Sequence, residues 1–128
     1  PMASGRPDNW FENDGQITKR PVRALTLSAL APKPGQHLWD IGSGSGSIAI
    51  EWLLSESSLS ATAIEASPDR AARIKKNAMA LGVDRLGIVQ GRAPEALEGL
   101  PDPDAVFIGG GLSHDLLDVI FSEFCLGK

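Results

Sequence analysis

Residues 39–50, WDIGSGSGSIAI, set three glycines on alternate positions directly after an apolar run that ends in an aspartate. The run predicts a short strand over 36–41, and Ile48 and Trp52, four apart, predict a helix over 47–54. Between them Gly42, Ser43, Gly44, Ser45 and Gly46 form the turn. A strand, a glycine-rich turn and a helix N-terminus make a crevice at the carboxyl end of a sheet, where backbone N–H groups converge and a ligand lies against bare main chain. The glycines remove the Cβ atoms such a ligand would strike.

Outward from this unit, helix and strand patterns alternate. Upstream, 21–30 reads as a helix with proline in its first turn and Val22, Leu25 and Ala29 on its inner face, stopped by PKPG. Downstream, 61–64 is an apolar strand ending at Glu65. Ser67, Pro68 and Asp69 start a helix that Gly82 stops, with Ile74, Ala78 and Leu81 inward. A third strand over 86–89, a short helix over 95–97, a fourth strand over 105–108 and a last helix over 116–124 complete the pattern. Strands alternating with helices of this length predict an α/β fold with a parallel sheet.

Composition narrows the function classes. The 128 residues, 42% hydrophobic and 22% charged, have the make-up of one globular domain. A net charge of −4 gives no footprint for a nucleic-acid backbone, and the basic run RIKK at 73–76 reads as a solvated helix face. The single cysteine, Cys125, reads as a core thiol in a reducing compartment. No apolar stretch approaches the ~20 residues that span a bilayer, so the expected location is cytoplasmic. No metal site is assigned. The opening PMASGRPD reads as a linker or a cut end, which gives residues 1–15 as linker or N-terminal arm and 16–128 as a partial domain.

Two cofactors compete for the crevice. A dinucleotide fingerprint can be written as Gly44-x-Gly46-x-x-Ala49, with Glu65 about twenty residues on for a ribose hydroxyl. Against it, LWDIGSGSG looks like the first motif of the class I S-adenosylmethionine-dependent methyltransferases, where an acid precedes Gly-x-Gly-x-Gly. Asp40 is that acid. The resemblance implies that Glu65, closing the second strand, takes both ribose hydroxyls, two carboxylate oxygens matching two donors. It also places GRA, Gly91 to Ala93, where many of these enzymes have Gly-Asp-Ala at the adenine edge. Arg92 departs from that pattern, so the adenine contact falls to the backbone N–H of Ala93, with the Arg92 guanidinium available for stacking.

With the flanks included, DGQITKRPVRALTLSALAPKPGQHLWDIGSGSGSIAIEW, GRAPEAL and PDPDAVFIGGG resemble the decarboxylating precorrin methyltransferases of cobalamin biosynthesis, the CbiT family and the C-terminal half of a longer fusion. The resemblance implies a Rossmann-like three-layer sandwich whose seven strands run 3-2-1-4-5-7-6, of which this chain carries four, in the order 3-2-1-4. It implies S-adenosylmethionine as cofactor, a precorrin as substrate, methylation at ring carbon 15 and decarboxylation of the acetate on carbon 12. Thr18 and Lys19 correspond to a cover over the cofactor. Gly109, Gly110 and Gly111 leave an open wall that suits a wide macrocycle.

No catalytic acid or base is assigned; Glu12, Asp14 and His114 are merely near. Gly44 is expected under the cofactor, so that valine there blocks binding at little cost in stability if φ is negative. The fourth strand is left with an open edge, so a longer bifunctional chain or a homo-oligomer is expected. A nicotinamide-dependent oxidoreductase and a non-catalytic cofactor-binding module remain as alternatives.

Overall fold

The computed structural model describes residues 3–109. Four parallel strands, β1 (His37–Ile41), β2 (Ser60–Glu65), β3 (Gly87–Gln90) and β4 (Ala105–Ile108), form one sheet in the order β3-β2-β1-β4. Three helices, α1 (Arg20–Leu30), α2 (Ser47–Ser55) and α3 (Pro68–Ala80), alternate with them. The expected helix at 95–97 is a single 3-10 turn. The expected helix over 116–124, with His114 and Cys125, lies outside the described residues.

β1 is central, and its alternation splits the core in two. Leu38 faces the same side as Ala61, Ala63 and Ala105, and on this side Ile48, Trp52, Leu27, Ile74 and Ala78 bring all three helices onto the sheet. The small alanines leave room for that layer. On the other side Trp39, Ile41 and Ile64 pack with Leu97, and the Trp39 indole donates to the Pro101 carbonyl at 3.0 Å. Among the described residues only the segment around the 3-10 turn covers this second face.

α3 begins as its sequence dictates: the Ser67 hydroxyl accepts the Arg70 N–H, and Pro68 occupies the first turn, where its missing donor is harmless. α1 does not follow its pattern. Val22 and Leu25 are 56% and 71% exposed, Ala29 is exposed too, and the buried face is Arg23 and Leu27. An ion pair turns this helix. The Arg23 Nε donates to Glu51 Oε2 at 2.6 Å, both side chains fully buried, and the guanidinium lies over the Phe11 ring, 4.9 Å from its centroid. A charge count scores Arg23 as outward, so its partner on α2 could not be inferred from α1.

The same carboxylate holds the chain's opening residues. Glu51 accepts the Gly5 and Arg6 N–H groups and the Arg6 guanidinium, the last at 2.9 Å. Arg23 also pairs with Asp8 at 3.0 Å and donates to the carbonyls of Arg6 and Thr18. With Phe11 2% exposed, residues 5–18 form an arm packed on the helices, tied to α2 through Glu51 and to α3 through Asn77.

Candidate functional site

A crevice of about 900 Å³ opens at the carboxyl ends of the strands. The turn after β1 lines it with Gly42, Ser43 and Gly44, the arm with Gln16, Ile17 and Thr18, and the end of β2 with Glu65 and Ser67. Gly91, Arg92 and Ala93 follow β3, and Phe107, Ile108 and Gly109 close the β4 side.

The chain's own atoms account for much of the glycine pattern. Gly42, Gly44 and Gly46 have φ of 68°, 63° and 81°, in the left-handed region that disfavours any Cβ. A Cβ on Gly46 would lie 2.8 Å from Ile74 Cγ2, so this glycine admits α3. One on Gly44 would lie 3.1 Å from the Gln16 carbonyl, and one on Gly109 3.0 Å from the Gly42 carbonyl. The condition of negative φ at Gly44 therefore fails, and valine there costs stability as well as space. Gly109 likewise serves the approach of the chain after β4 to the turn.

Four of the turn's N–H groups do not converge on the crevice as expected. Those of Gly42 and Ser43 both go to the Ile64 carbonyl, that of Gly44 to Glu65 Oε1 at 2.8 Å, and that of Gly46 to the Ser43 carbonyl. At the α2 N-terminus the Ala49 N–H goes to Asp40 Oδ2 at 3.2 Å, which also accepts the Ser43 hydroxyl at 2.8 Å. The positive end of the helix thus already holds a resident anion.

Asp40 is 1% exposed, and its Oδ1 has no hydrogen-bond partner among the described residues. Burial pushes its carboxyl up from 3.8 to about 6 against the pull of Ser43 and Ala49, with the Glu65 charge adding to the rise. The folded chain therefore binds this proton more tightly than the unfolded chain does. Its contribution favours folding at low pH, declines as pH rises from about 4 to about 6, and stays unfavourable above. Asp40→Asn is expected to remove this decline and to raise stability above pH 6 by on the order of 3 kcal/mol. Thermal melts of both proteins from pH 4 to pH 8 check it: the gap between them should open through pH 5 and then level off. A gap that does not vary with pH refutes the assignment.

Glu65 is 5% exposed in the crevice wall. One oxygen accepts the Gly44 N–H and the other the Ser67 N–H at 2.9 Å, so each keeps a lone pair for a further donor. That suits a vicinal diol. Of the other residues proposed from sequence, Thr18, Gly42, Ser43, Gly44, Arg92, Ala93 and Gly109 line the crevice, while Asp40, Ser45 and Gly46 are buried outside its lining. Gly110 and Gly111 lie outside the described residues. Arg92 is exposed and makes no ion pair among the described residues.

Thr18 does not cap α1, whose N-cap is Lys19. Asp14 pairs with Arg70 at 2.9 Å, which with its hydrogen bond to Gln16 holds its carboxyl below the ordinary value, and Glu12 pairs with exposed Lys76. An ionised, paired Asp14 is no proton donor near neutrality. Sequence reasoning missed Gln16, Ser67 and Arg70 as lining residues. Ser67 and Arg70 sit in the start of α3, where their capping signal was visible and their place beside Glu65 was not.

Among the described residues no helix is long and apolar enough to cross a membrane, and no cluster of His, Cys, Asp and Glu suits a metal ion. A family model described as a precorrin methyltransferase domain matches residues 9–127. A precorrin-6Y C(5,15)-methyltransferase [decarboxylating] of Sinorhizobium sp is 64% identical over 115 residues, 90% of this chain and 28% of that protein. A cobalt-precorrin-6B C(15)-methyltransferase (decarboxylating) of Salmonella typhimurium is 40% identical over 98 residues, 77% of this chain and 50% of the relative. This chain thus spans between about a quarter and a half of the length of these relatives. The C-terminal domain of precorrin-6Y C5,15-methyltransferase from Rhodobacter capsulatus superposes with a TM-score of 0.92 at 50% identity, covering 97% of this chain and 67% of that one. Fold and sequence agree, and the chain belongs to the precorrin methyltransferase family.

Proposed function

We propose that this chain is the cofactor-binding part of a decarboxylating precorrin methyltransferase that uses S-adenosylmethionine. The observation that carries the choice of cofactor is the carboxylate of Asp40 at the α2 N-terminus. A dinucleotide places its pyrophosphate at such a helix end, against free backbone donors. Here the position next to Ala49 is already anionic and the N–H groups of Gly42, Ser43, Gly44 and Gly46 are bonded within the chain. A phosphate is repelled, whereas a cationic sulfonium cofactor without phosphate is compatible.

Glu65 accepts the ribose hydroxyls on its remaining lone pairs, and Gly42 and Gly44 let the rest of the cofactor lie against main chain. The backbone N–H of Ala93 meets the adenine edge, and the Arg92 guanidinium lies against the base. When bound, the cofactor supplies an activated methyl group. The chain's part is to hold it in place, with Ile41, Ile48, Ile64, Phe107 and Ile108 giving the crevice an apolar lining that limits water.

The relatives' names, which specify methylation at carbons 5 and 15 or at carbon 15 with decarboxylation, support a precorrin as acceptor; the group lost in this reading is the acetate carboxylate on carbon 12. The whole protein acts in the cytoplasm, as a longer bifunctional chain or a homo-oligomer that covers the outer edge of β4. Isothermal titration of the intact protein with S-adenosylhomocysteine and with NAD tests the cofactor. Micromolar binding of the first and none of the second is expected; NAD binding alone overturns the reading. Turnover of a precorrin with release of carbon dioxide separates the enzyme from a non-catalytic module.

A further inference from the structure

Asn77 stands in the last turns of α3, 3% exposed, on a face that otherwise buries Ile74 and Ala78. Its side chain is fully engaged. Oδ1 accepts the Glu12 N–H at 2.8 Å, and Nδ2 donates to the Glu12 carbonyl at 2.9 Å and to the Ser45 carbonyl at 2.9 Å. One amide therefore ties the arm to the glycine turn. We propose that Asn77 is a positioning residue for the crevice, fixing the arm and the turn as one wall although it touches no ligand itself.

Three observations carry this. First, both elements it joins line the crevice within a few residues of the tie, the arm at Gln16, Ile17 and Thr18 and the turn at Gly42, Ser43 and Gly44. They come so close that a Cβ on Gly44 would sit 3.1 Å from the Gln16 carbonyl. Secondly, among the described residues the ion pairs between the arm and α3 are those of Asp14 with Arg70 and Arg73 and of Glu12 with Lys76. The side chains of these pairs are between 27% and 71% exposed, and exposed pairs hold geometry weakly. Thirdly, the far end of the segment is fixed by buried Arg23, which donates to the Thr18 carbonyl. Residues 12–18 are thus held by a buried group at each end, and Asn77 is the one that also reaches the turn.

The residue type fits the task. Aspartate keeps the acceptor for the Glu12 N–H but loses both donors and sets a charge against two carbonyls. Alanine loses all three bonds. In either variant the arm and turn separate into independent elements, and apparent affinity falls with the fraction of molecules in which both are in place.

This inference rests on the cofactor reading above, and the test separates the two. S-adenosylhomocysteine is titrated into the intact wild-type protein and into Asn77→Ala and Asn77→Asp well below their melting temperatures, with hydrogen exchange followed in the free and bound forms. In wild type, binding is expected to slow exchange of amides 13–18 together with that of Ser67. In the variants, affinity should fall roughly tenfold, and before ligand is added amides 13–18 should exchange faster than in wild type while Ser67 should not. A purely structural role lowers the melting temperature without uncoupling the two protections. Wild-type binding without protection of 13–18 overturns the proposal and needs no variant to fold. So does a folded variant with affinity within twofold of wild type. Absence of any wild-type binding overturns the cofactor reading and this proposal with it.

Discussion

Glu51→Ala is expected to lower folding stability by about 3–5 kcal/mol, a large part of what a domain of this size has. The carboxylate is fully buried and joins Arg6, Arg23 and two backbone N–H groups. Its removal strands the Arg23 guanidinium, itself fully buried, without its closest counter-charge. Uncompensated burial of a cation costs far more than the pair contributes when intact. The arm also loses its anchor at Gly5 and Arg6, so the crevice residues Gln16, Ile17 and Thr18 lose support. Urea denaturation checks the first effect and titration with S-adenosylhomocysteine the second. Glu51→Gln, which keeps the shape and one acceptor, should fall between wild type and alanine. An unchanged denaturation midpoint in Glu51→Ala would mean the arm is not docked on α2.

Glu65→Ala should weaken S-adenosylhomocysteine binding by a hundredfold or somewhat more. Hydrogen bonds to a charged group contribute ~1.5–3 kcal/mol, which alone gives roughly ten- to a hundredfold. The structure adds a second loss, because the same carboxylate holds the Gly44 and Ser67 N–H groups and so joins the glycine turn to the start of α3. Glu65→Gln keeps an acceptor for one of these and should lose less. Calorimetry on folded protein decides it, and an affinity within threefold of wild type removes Glu65 from the site.

The parts of this fold that were legible in sequence are those whose causes are local. β1, the turn and α2 follow from an apolar run, three glycines and a helical period, and the start of α3 follows from Ser67 and Pro68. Glu65 was legible because a strand end puts it at the crevice whatever else packs nearby. Illegible were the features made by partners far along the chain. Arg23 is buried because Glu51 is on the next helix, so the apolar spacing of Val22, Leu25 and Ala29 pointed to the wrong face. Where the arm docks could not be read locally because its anchor lies 45 residues away from Arg6. Gly46 was read as room for a ligand, whereas its neighbour is Ile74. Asn77 gave only a faint signal, a polar side chain on an apolar face.

The glycine turn bonds its N–H groups at Gly42, Ser43, Gly44 and Gly46 within the chain. Glycines lose more backbone freedom on ordering than other residues, and in many glycine-rich loops that loss accompanies ligand capture. Here it has already occurred when the domain folds. A turn held by bonds to Ile64, Glu65 and Ser43 is ordered by the same contacts that order the sheet. The entropic burden of three left-handed glycines falls on the domain's stability.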